Sequence, residues 1–243
     1  MVNLKNILLQ YIALNFKNLP KTPVYTQNDE YIFLFDIDDT LYKSTQDFHI
    51  DERNALKKCY NFYKNSMPNH NDVPDFDDFI QSHGSINDAF FKVFNKTPLE
   101  VEIVKNFNYG DYLREDKELQ LFFSKFPYKS WCFTNGIKMR AEMILESLGL
   151  TKSFIGVFCK DDGCDGEFIL RKPKKETYEF VEKYLNIKNK SKVYFFDDNQ
   201  KNITIGEEMG WNCILIDNPD NILDILKRIK DQLQEEEERR LLY

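Results

Sequence analysis

The sequence predicts an α/β fold, in which a Rossmann-like, doubly wound parallel sheet forms the core and a helical cap is inserted into it. Short β-rich runs that are apolar on both faces indicate parallel strands covered by helices. Helical patterns lie between these runs, and one long segment interrupts the alternation. The four β-rich runs are YIFLFD (31–36), KSWCFTN (129–135), KVYFFDD (192–198) and NCILID (212–217).

Three helical patterns separate or flank the later strands. Residues 137–150 include Gly149 close to their end, which is typical of a helix C-terminus. Residues 172–187 carry Pro173 in the expected first turn, where a helix tolerates proline. Residues 201–210 also end in glycine. Together these patterns predict the helices that connect parallel strands.

One long segment, 45–118, lies between the first two strands and exceeds the length of a simple crossover. It is rich in Phe, Tyr, Asn and Asp, and we expect several helices that form the cap. The core then consists of 29–44 and 119–230. Residues 1–28 are predicted to form an amphipathic helical extension. Residues 231–243 are predicted to be a charged tail, either a helix end or a frayed terminus.

The composition excludes several classes of protein. With a net charge of −7 and no long basic block, the chain lacks the phosphate-neutralising surface of a nucleic-acid-binding protein. It has no apolar run of about 18 residues, so we expect no membrane span. The N-terminus lacks the basic region and the cleavage site of a signal peptide.

Five cysteines occur at irregular spacings, which is typical of free thiols in a reducing compartment and gives no zinc-site pattern. We therefore expect an intracellular protein of the cytoplasm, with the nucleus left open as a second location. The oligomeric state stays open.

Carboxylates follow the first and third β-rich runs at the points where the strands should end. Asp36 ends the first run and Asp38 follows it, and Asp197 and Asp198 end the third run. Because the carboxyl ends of parallel strands meet at one edge of the sheet, these side chains should lie close together. Crowded carboxylates repel one another and need a cation. Oxygen ligands without His or Cys predict Mg²⁺.

The residue types at this edge also predict phosphoryl chemistry. Asp36 and Asp38 are two residues apart, so an extended backbone would direct both to one side. One carboxylate can then attack phosphorus while its neighbour handles the proton of the leaving oxygen. The Thr134 hydroxyl and the Lys172 ammonium would bind the phosphate oxygens, with Lys172 expected to open a helix and gain from its dipole. Asn135 is predicted either to bind phosphate or to shape the turn that follows.

Four motifs, DIDDTLY, FTNG, RKP and FFDDNQKN, occur in the order and at the strand ends that resemble the haloacid dehalogenase (HAD) superfamily. The resemblance covers nearly the whole chain after the N-terminal segment and implies the HAD core with a helical cap. It implies that Asp36 is the nucleophile and Asp38 the general acid and base. It further implies that Thr134 binds the phosphoryl group and that Lys172 steadies Asp36 and the transferring charge.

The same resemblance implies a Mg²⁺ site completed by Asp197 and Asp198, with Asp198 favoured as the direct ligand. The backbone carbonyl of Asp38 is the expected remaining protein ligand. An acid two residues after the nucleophile is needed to protonate an alkoxide leaving group. Hydrolysis of a phosphate monoester is therefore favoured over carbon–halogen cleavage.

Within the superfamily, the chain is most similar to fungal-type pyrimidine 5′-nucleotidases, through FDIDDTLYKST, the segments 83–100 and 107–119, and DDNQKNITIGEEMG. This similarity implies a nucleoside monophosphate, UMP or CMP, as the small-molecule substrate. The sequence departs from that pattern at Arg140, near a position where His is frequent, and this bears on substrate choice. The alternatives are another phosphate ester (a sugar phosphate, phosphoglycolate or lysophosphatidate), a phosphomutase, or a non-catalytic interaction protein.

Overall fold

A computed structural model describes residues 9–19, 30–82, 107–160 and 170–241 of the chain. The strands in these ranges are β1 (Gln10–Ala13), β2 (Ile32–Phe35), β3 (Lys129–Ile137), β4 (Gly156–Lys160), β5 (Val193–Asp197) and β6 (Asn212–Leu215). They form one parallel sheet in the order β1-β4-β3-β2-β5-β6. The predicted parallel sheet is confirmed.

The helices of the described residues are α1 (Gln46–Asn65), α2 (Phe76–Ser82), α3 (Lys117–Lys125), α4 (Lys138–Ser147), α5 (Lys175–Leu185), α6 (Gln200–Glu208) and α7 (Ile222–Leu241). Gly149 follows α4 and Gly210 follows α6, both with positive φ (69° and 88°). Glycine adopts this left-handed conformation without steric cost and so ends a helix readily. The predicted C-terminal ends of both helices are confirmed.

The order of the strands places a crevice at the end of β2. From β2 the chain adds β3 and β4 on one side, then crosses to the other side and adds β5 and β6. In register, Phe35 of β2 lies between Cys132 of β3 and Phe196 of β5. Ligands of open α/β sheets bind where the strand order reverses in this way, outside the carboxyl ends of the strands.

Side chains from both faces of the sheet are buried, as the apolar runs predict. Phe33 and Phe35 of β2 belong to one hydrophobic cluster. Leu34 belongs to a second cluster on the opposite face, together with Phe133 and Phe195 of the neighbouring strands. Successive residues of a strand point to opposite faces, so the split confirms that the sheet is covered on both sides.

The N-terminal segment differs from its prediction. Residues 1–28 were expected to be helical, but Gln10–Ala13 form strand β1 and pair in parallel with β4. Residues 1–8 and 20–29 lie outside the described residues. The prediction is wrong for β1 because the unpaired backbone groups of β4 provide hydrogen-bond partners that local helical periodicity does not reveal.

The helix predicted over 172–187 begins later than expected. Helix α5 starts at Lys175, so Lys172 and Pro173 precede it. The Asn135 side chain accepts a hydrogen bond from the Lys172 amide (2.8 Å) and donates one to the Lys172 carbonyl (3.0 Å). These contacts hold the Lys172 backbone outside the helix, and the expected gain from the helix dipole is a wrong prediction.

Only part of the predicted cap, 45–118, is described, namely 45–82 and 107–118. Thr45 begins α1 by accepting a hydrogen bond from the Phe48 amide at 3.1 Å. Helices α1 and α2 pack through the buried Tyr60, whose hydroxyl donates to the Pro74 carbonyl at 2.6 Å. The division into core and cap at the stated boundaries stays a prediction.

The charged tail predicted at 231–243 is helical as far as it is described, because α7 continues to Leu241. None of the helices in the described ranges combines the length and the hydrophobicity needed to cross a bilayer.

Candidate active site

Two carboxylates lie side by side at the carboxyl ends of β2 and β5. Asp36 follows β2 directly, and its amide donates a hydrogen bond to the Phe196 carbonyl at 2.8 Å. Asp197 is the last residue of β5. Both are buried, with Asp36 7% exposed and Asp197 fully enclosed. As predicted, these two carboxylates lie close together at one edge of the sheet.

A buried ammonium joins the two carboxylates. Lys172 Nζ donates to Asp36 Oδ1 at 2.9 Å, to Asp197 Oδ2 at 2.6 Å and to the Phe133 carbonyl at 2.6 Å. Burial lowers the pKa of Lys172, but the two carboxylates outweigh burial and leave the pKa above its ordinary value. Lys172 is therefore a permanent cation whose three donors are all in use.

Asp197 is held by the loop that follows it. Asn202 Nδ2 donates to Asp197 Oδ1 (2.8 Å) and Oδ2 (3.0 Å), and the Asn199 amide donates to Oδ1 (2.9 Å). Together with Lys172, these donors occupy both carboxylate oxygens. The next residue, Asp198, is exposed.

The acidic group at this edge fits a divalent cation. Asp36, Asp197 and Asp198 each offer a carboxylate oxygen, and these oxygens lie within 4.8 Å of one another. Three carboxylates against the one ammonium of Lys172 leave an excess of two negative charges. All the donors are hard oxygen atoms, which is the ligand set that Mg²⁺ prefers.

Burial and the neighbouring carboxylates shift the pKa values of two residues in this group. Burial raises the pKa of Asp36 to about 8; Asp197 and Asp38 act in the same direction, and Lys172 opposes the shift. Burial also raises the pKa of Asp198 to about 6, with the charges of Asp197 and Asp39 adding to it. A cation bound here would favour the ionised forms.

Thr134 and Asn135 occupy the end of β3, next to β2. Thr134 is buried, and its hydroxyl oxygen accepts a hydrogen bond from the Gly136 amide at 2.9 Å. That leaves the hydroxyl hydrogen of Thr134 for a further acceptor. Asn135 uses its side chain to hold the backbone of Lys172, a role that the sequence analysis missed. Its contact with phosphate stays a prediction.

Asp38 lies in the loop after β2 and is held by two donors. Tyr42 Oη donates to Asp38 Oδ1 at 2.6 Å, and Arg140 Nη2 donates to the same oxygen at 2.8 Å. Burial raises the pKa of Asp38, but the Arg140 guanidinium and the two hydrogen bonds outweigh it, so the pKa lies below its ordinary value.

Tyr42 and Glu52 were not predicted as site residues from the sequence, and Arg140 was predicted only as a departure from a family pattern. Arg140 Nη1 donates to Glu52 Oε1 and to the Tyr109 hydroxyl. Tyr42 belongs to the DIDDTLY motif, which was the available signal for it. Glu52 gave no signal, because nothing in its neighbourhood along α1 distinguishes it from a surface glutamate.

Comparison with known proteins identifies a family. The model of the haloacid dehalogenase-like hydrolases matches residues 32–210, well over half of the chain. Phosphate metabolism protein 8 of Saccharomyces cerevisiae is 24% identical over 202 residues, covering 76% of this chain and 60% of that protein. The chain thus spans less than two thirds of this curated relative.

Two solved structures share the fold. A Porphyromonas gingivalis protein described as a HAD-like family hydrolase is 15% identical, with a TM-score of 0.52 over 82% of this chain and 97% of that one. A Thermotoga maritima protein provisionally described as a β-phosphoglucomutase is 19% identical, with a TM-score of 0.51 over 82% of this chain and 99% of that one. Identities this low show the fold alone.

Proposed function

This chain belongs to the haloacid dehalogenase-like hydrolase family, and from that membership we propose that it is a Mg²⁺-dependent phosphatase. It hydrolyses phosphate monoesters through a phospho-Asp36 intermediate. The observation that carries the proposal is the contact of Asp36 with the buried ammonium of Lys172, at the edge of an acidic group that fits Mg²⁺.

In the first step, Asp36 attacks phosphorus. Lys172 binds Oδ1, so Oδ2 forms the bond to phosphorus while the bond from phosphorus to the leaving oxygen breaks. Asp38 donates its proton to that oxygen, and the alcohol departs. The hydroxyl of Thr134 binds a non-bridging phosphate oxygen, and the charge of the Lys172 ammonium, held against Asp36, stabilises the transferring phosphoryl group.

In the second step, water attacks the phosphorus of phospho-Asp36. Asp38, now a carboxylate, takes the proton of the water, and the bond between Asp36 and phosphorus breaks to release inorganic phosphate. The lowered pKa of Asp38 keeps its carboxyl in the ionised form that can accept this proton. A bound phosphate dianion raises the pKa of Asp38 again, because like charges disfavour the ionised form, and this prepares the acid needed in the first step.

Mg²⁺, when bound, supplies charge stabilisation to the transferring phosphoryl group. The residues that would hold it are Asp36 and Asp198, with the Asp38 backbone carbonyl as a further ligand. Asp197 is close by, but its carboxylate oxygens accept hydrogen bonds from Lys172, Asn202 and the Asn199 amide. Its role in the proposal is therefore to hold Lys172 in place beside the cation site.

For the substrate, we propose a pyrimidine nucleoside monophosphate, UMP or CMP. The support is the similarity of FDIDDTLYKST and DDNQKNITIGEEMG to fungal-type pyrimidine 5′-nucleotidases. Much of the segment that would select the leaving group, residues 83–106, lies outside the described residues.

A screen of phosphate monoesters with Mg²⁺ tests both levels of the proposal. It should include UMP, CMP, AMP, GMP, sugar phosphates, phosphoglycolate and lysophosphatidate, with release of inorganic phosphate as the readout. Asp36→Asn is the control and should abolish turnover while circular dichroism shows an intact fold. Activity of Asp36→Asn near that of wild type would refute the covalent mechanism.

The pattern of activity separates the reaction from the substrate. Strong preference for UMP and CMP supports the nucleotidase assignment. Turnover of other esters alone keeps the phosphatase and removes the pyrimidine substrate. Folded protein that turns over no ester in the presence of Mg²⁺ would contradict the phosphatase itself.

A further inference from the structure

Arg140 joins the catalytic loop to the predicted cap. It lies in α4 and its side chain is 16% exposed. One nitrogen, Nη2, donates to Asp38 Oδ1 at 2.8 Å. The other, Nη1, donates to Glu52 of α1 and to the Tyr109 hydroxyl at 3.1 Å. A single guanidinium therefore serves carboxylates from two different parts of the chain.

The guanidinium is also fixed by packing. Its central carbon lies 5.4 Å from the centre of the Tyr109 ring and 5.9 Å from that of Phe48. Both rings are buried, with about 1% exposure. A planar cation held between hydrogen bonds and aromatic faces has little freedom to rotate, so its position depends on α1, which carries both Phe48 and Glu52.

The contact with Arg140 determines how the Asp38 carboxylate is turned. Tyr42 and Arg140 both donate to Oδ1. The other oxygen, Oδ2, is directed toward the end of β3, where it lies 3.9 Å from the position that a Cβ on Gly136 would occupy. Thr134 borders the same position, with its hydroxyl oxygen 3.3 Å from it. Asp38 Oδ2 and the Thr134 hydroxyl therefore both approach the space beside Gly136.

We propose that Arg140 is a positioning residue, which orients Asp38 toward the leaving group and, through Glu52, makes that orientation depend on α1 being seated on the core. This inference rests on the proposed phosphatase function. A purely structural ion pair would require only one carboxylate. The Arg140 guanidinium instead binds Asp38 through Nη2 and Glu52 through Nη1. A lysine ammonium could not reproduce that geometry.

Two classes of substrate distinguish positioning from a structural role. An alkyl phosphate leaves as an alkoxide and needs the proton that Asp38 delivers, whereas p-nitrophenyl phosphate releases a stable phenolate and does not. Removing Arg140 should therefore affect the two esters unequally. A loss of packing or of phosphate binding would affect them alike.

The experiment compares kcat and kcat/KM for p-nitrophenyl phosphate and for an alkyl phosphate that wild type hydrolyses. In Arg140→Met we expect about a 100-fold fall in kcat/KM for the alkyl ester and little change in kcat/KM for the nitrophenyl ester, because kcat/KM covers only the steps up to departure of the leaving group. The later attack of water, which Asp38 assists for both esters, affects kcat alone. Glu52→Ala and Tyr42→Phe should show the same selectivity, with about a 10-fold fall in kcat/KM for the alkyl ester. The matched control is Asp77→Asn, which removes two exposed ion pairs of α1 with α2 and should leave both rates unchanged.

Turnover of p-nitrophenyl phosphate also reports that each variant is folded. Equal losses of kcat/KM on both esters, or no loss of kcat/KM in any of the variants, would overturn the positioning role. If Arg140→Met does not fold, Glu52→Ala and Tyr42→Phe decide the question in the same way. A wild-type protein that hydrolyses neither ester contradicts the phosphatase proposal, which is a different result from failure of the Arg140 inference.

Discussion

Replacing Lys172 by Met tests the centre of the site most directly. The substitution retains an unbranched side chain of similar length and removes the ammonium. Lys172 Nζ is the shared donor to Asp36, Asp197 and the Phe133 carbonyl, all at 2.6–2.9 Å. With only 1% of its side chain exposed, no water replaces the lost donors.

The expected cost follows from the burial of what remains. Removing one partner of a buried ion pair typically costs about 3–5 kcal/mol, because the remaining charge is left uncompensated. Against a typical unfolding free energy of about 5–15 kcal/mol, this is a large fraction. For a chain of this size, the loss corresponds to a fall in Tm of roughly 6–20 °C. Catalysis should fall by about 10²-fold or more, as when an oxyanion donor is removed.

The loss of stability should depend on pH with a defined sign. Burial already raises the pKa of Asp36 to about 8 in the folded wild-type protein, and loss of the Lys172 ammonium raises this pKa further. Below about pH 8, both folded proteins therefore hold the Asp36 proton that the unfolded chain has released, and their stabilities change with pH alike. Above about pH 8, only the variant keeps this proton in the folded state, so the difference in unfolding free energy from wild type should increase with pH there.

Urea denaturation of both proteins across this pH range measures the difference in unfolding free energy. The control is Lys57→Met, which removes one partner of the exposed pair with Asp77 and should cost less than about 1 kcal/mol. An unchanged midpoint for Lys172→Met, or a cost that decreases with rising pH, would refute the reasoning.

Three further substitutions test other parts of the structure. Asp198→Asn should remove the rise in Tm that Mg²⁺ gives the wild-type protein, because a cation that binds only the folded state stabilises it by mass action. Asn135→Ala should lower kcat by about 10- to 100-fold, since the Lys172 backbone loses both side-chain contacts and a small displacement of a catalytic group is costly. Gly206→Ala should destabilise the fold by about 1–3 kcal/mol, because the added Cβ would lie 2.5 Å from Cys213 Sγ and 3.2 Å from Phe195.

Each of these three predictions would be contradicted by a specific result. If Mg²⁺ still raises the Tm of Asp198→Asn, the cation binds elsewhere. The control is Asp220→Asn, which changes an exposed aspartate and should keep the wild-type rise in Tm. Unchanged kcat in Asn135→Ala would mean that Lys172 is held without that side chain. For Gly206→Ala, the control is Gly110→Ala, where the nearest atom lies at an ordinary 3.4 Å, and equal urea midpoints would exclude overpacking.

Four of the six strands in the described residues, and the carboxylates at the edge of the sheet, could be predicted from the sequence. Strands β2 and β5 have apolar residues on both faces, and an aspartate directly follows β2 and ends β5. Since parallel strands end at the same edge, Asp36 and Asp197 had to meet wherever these strands became neighbours. Local pattern carries this information because the periodicity, the chain direction and the terminal residue all lie within a few positions of one another.

The distant side chains that complete the site could be identified only from the tertiary structure. Asn135 holds the backbone of Lys172, 37 positions away, and Arg140 contacts Glu52, 88 positions away. Strand β1 likewise forms because β4 offers it hydrogen-bond partners. Such contacts depend on how separate elements pack, and no local preference of the participating residues distinguishes them from ordinary surface or helical positions.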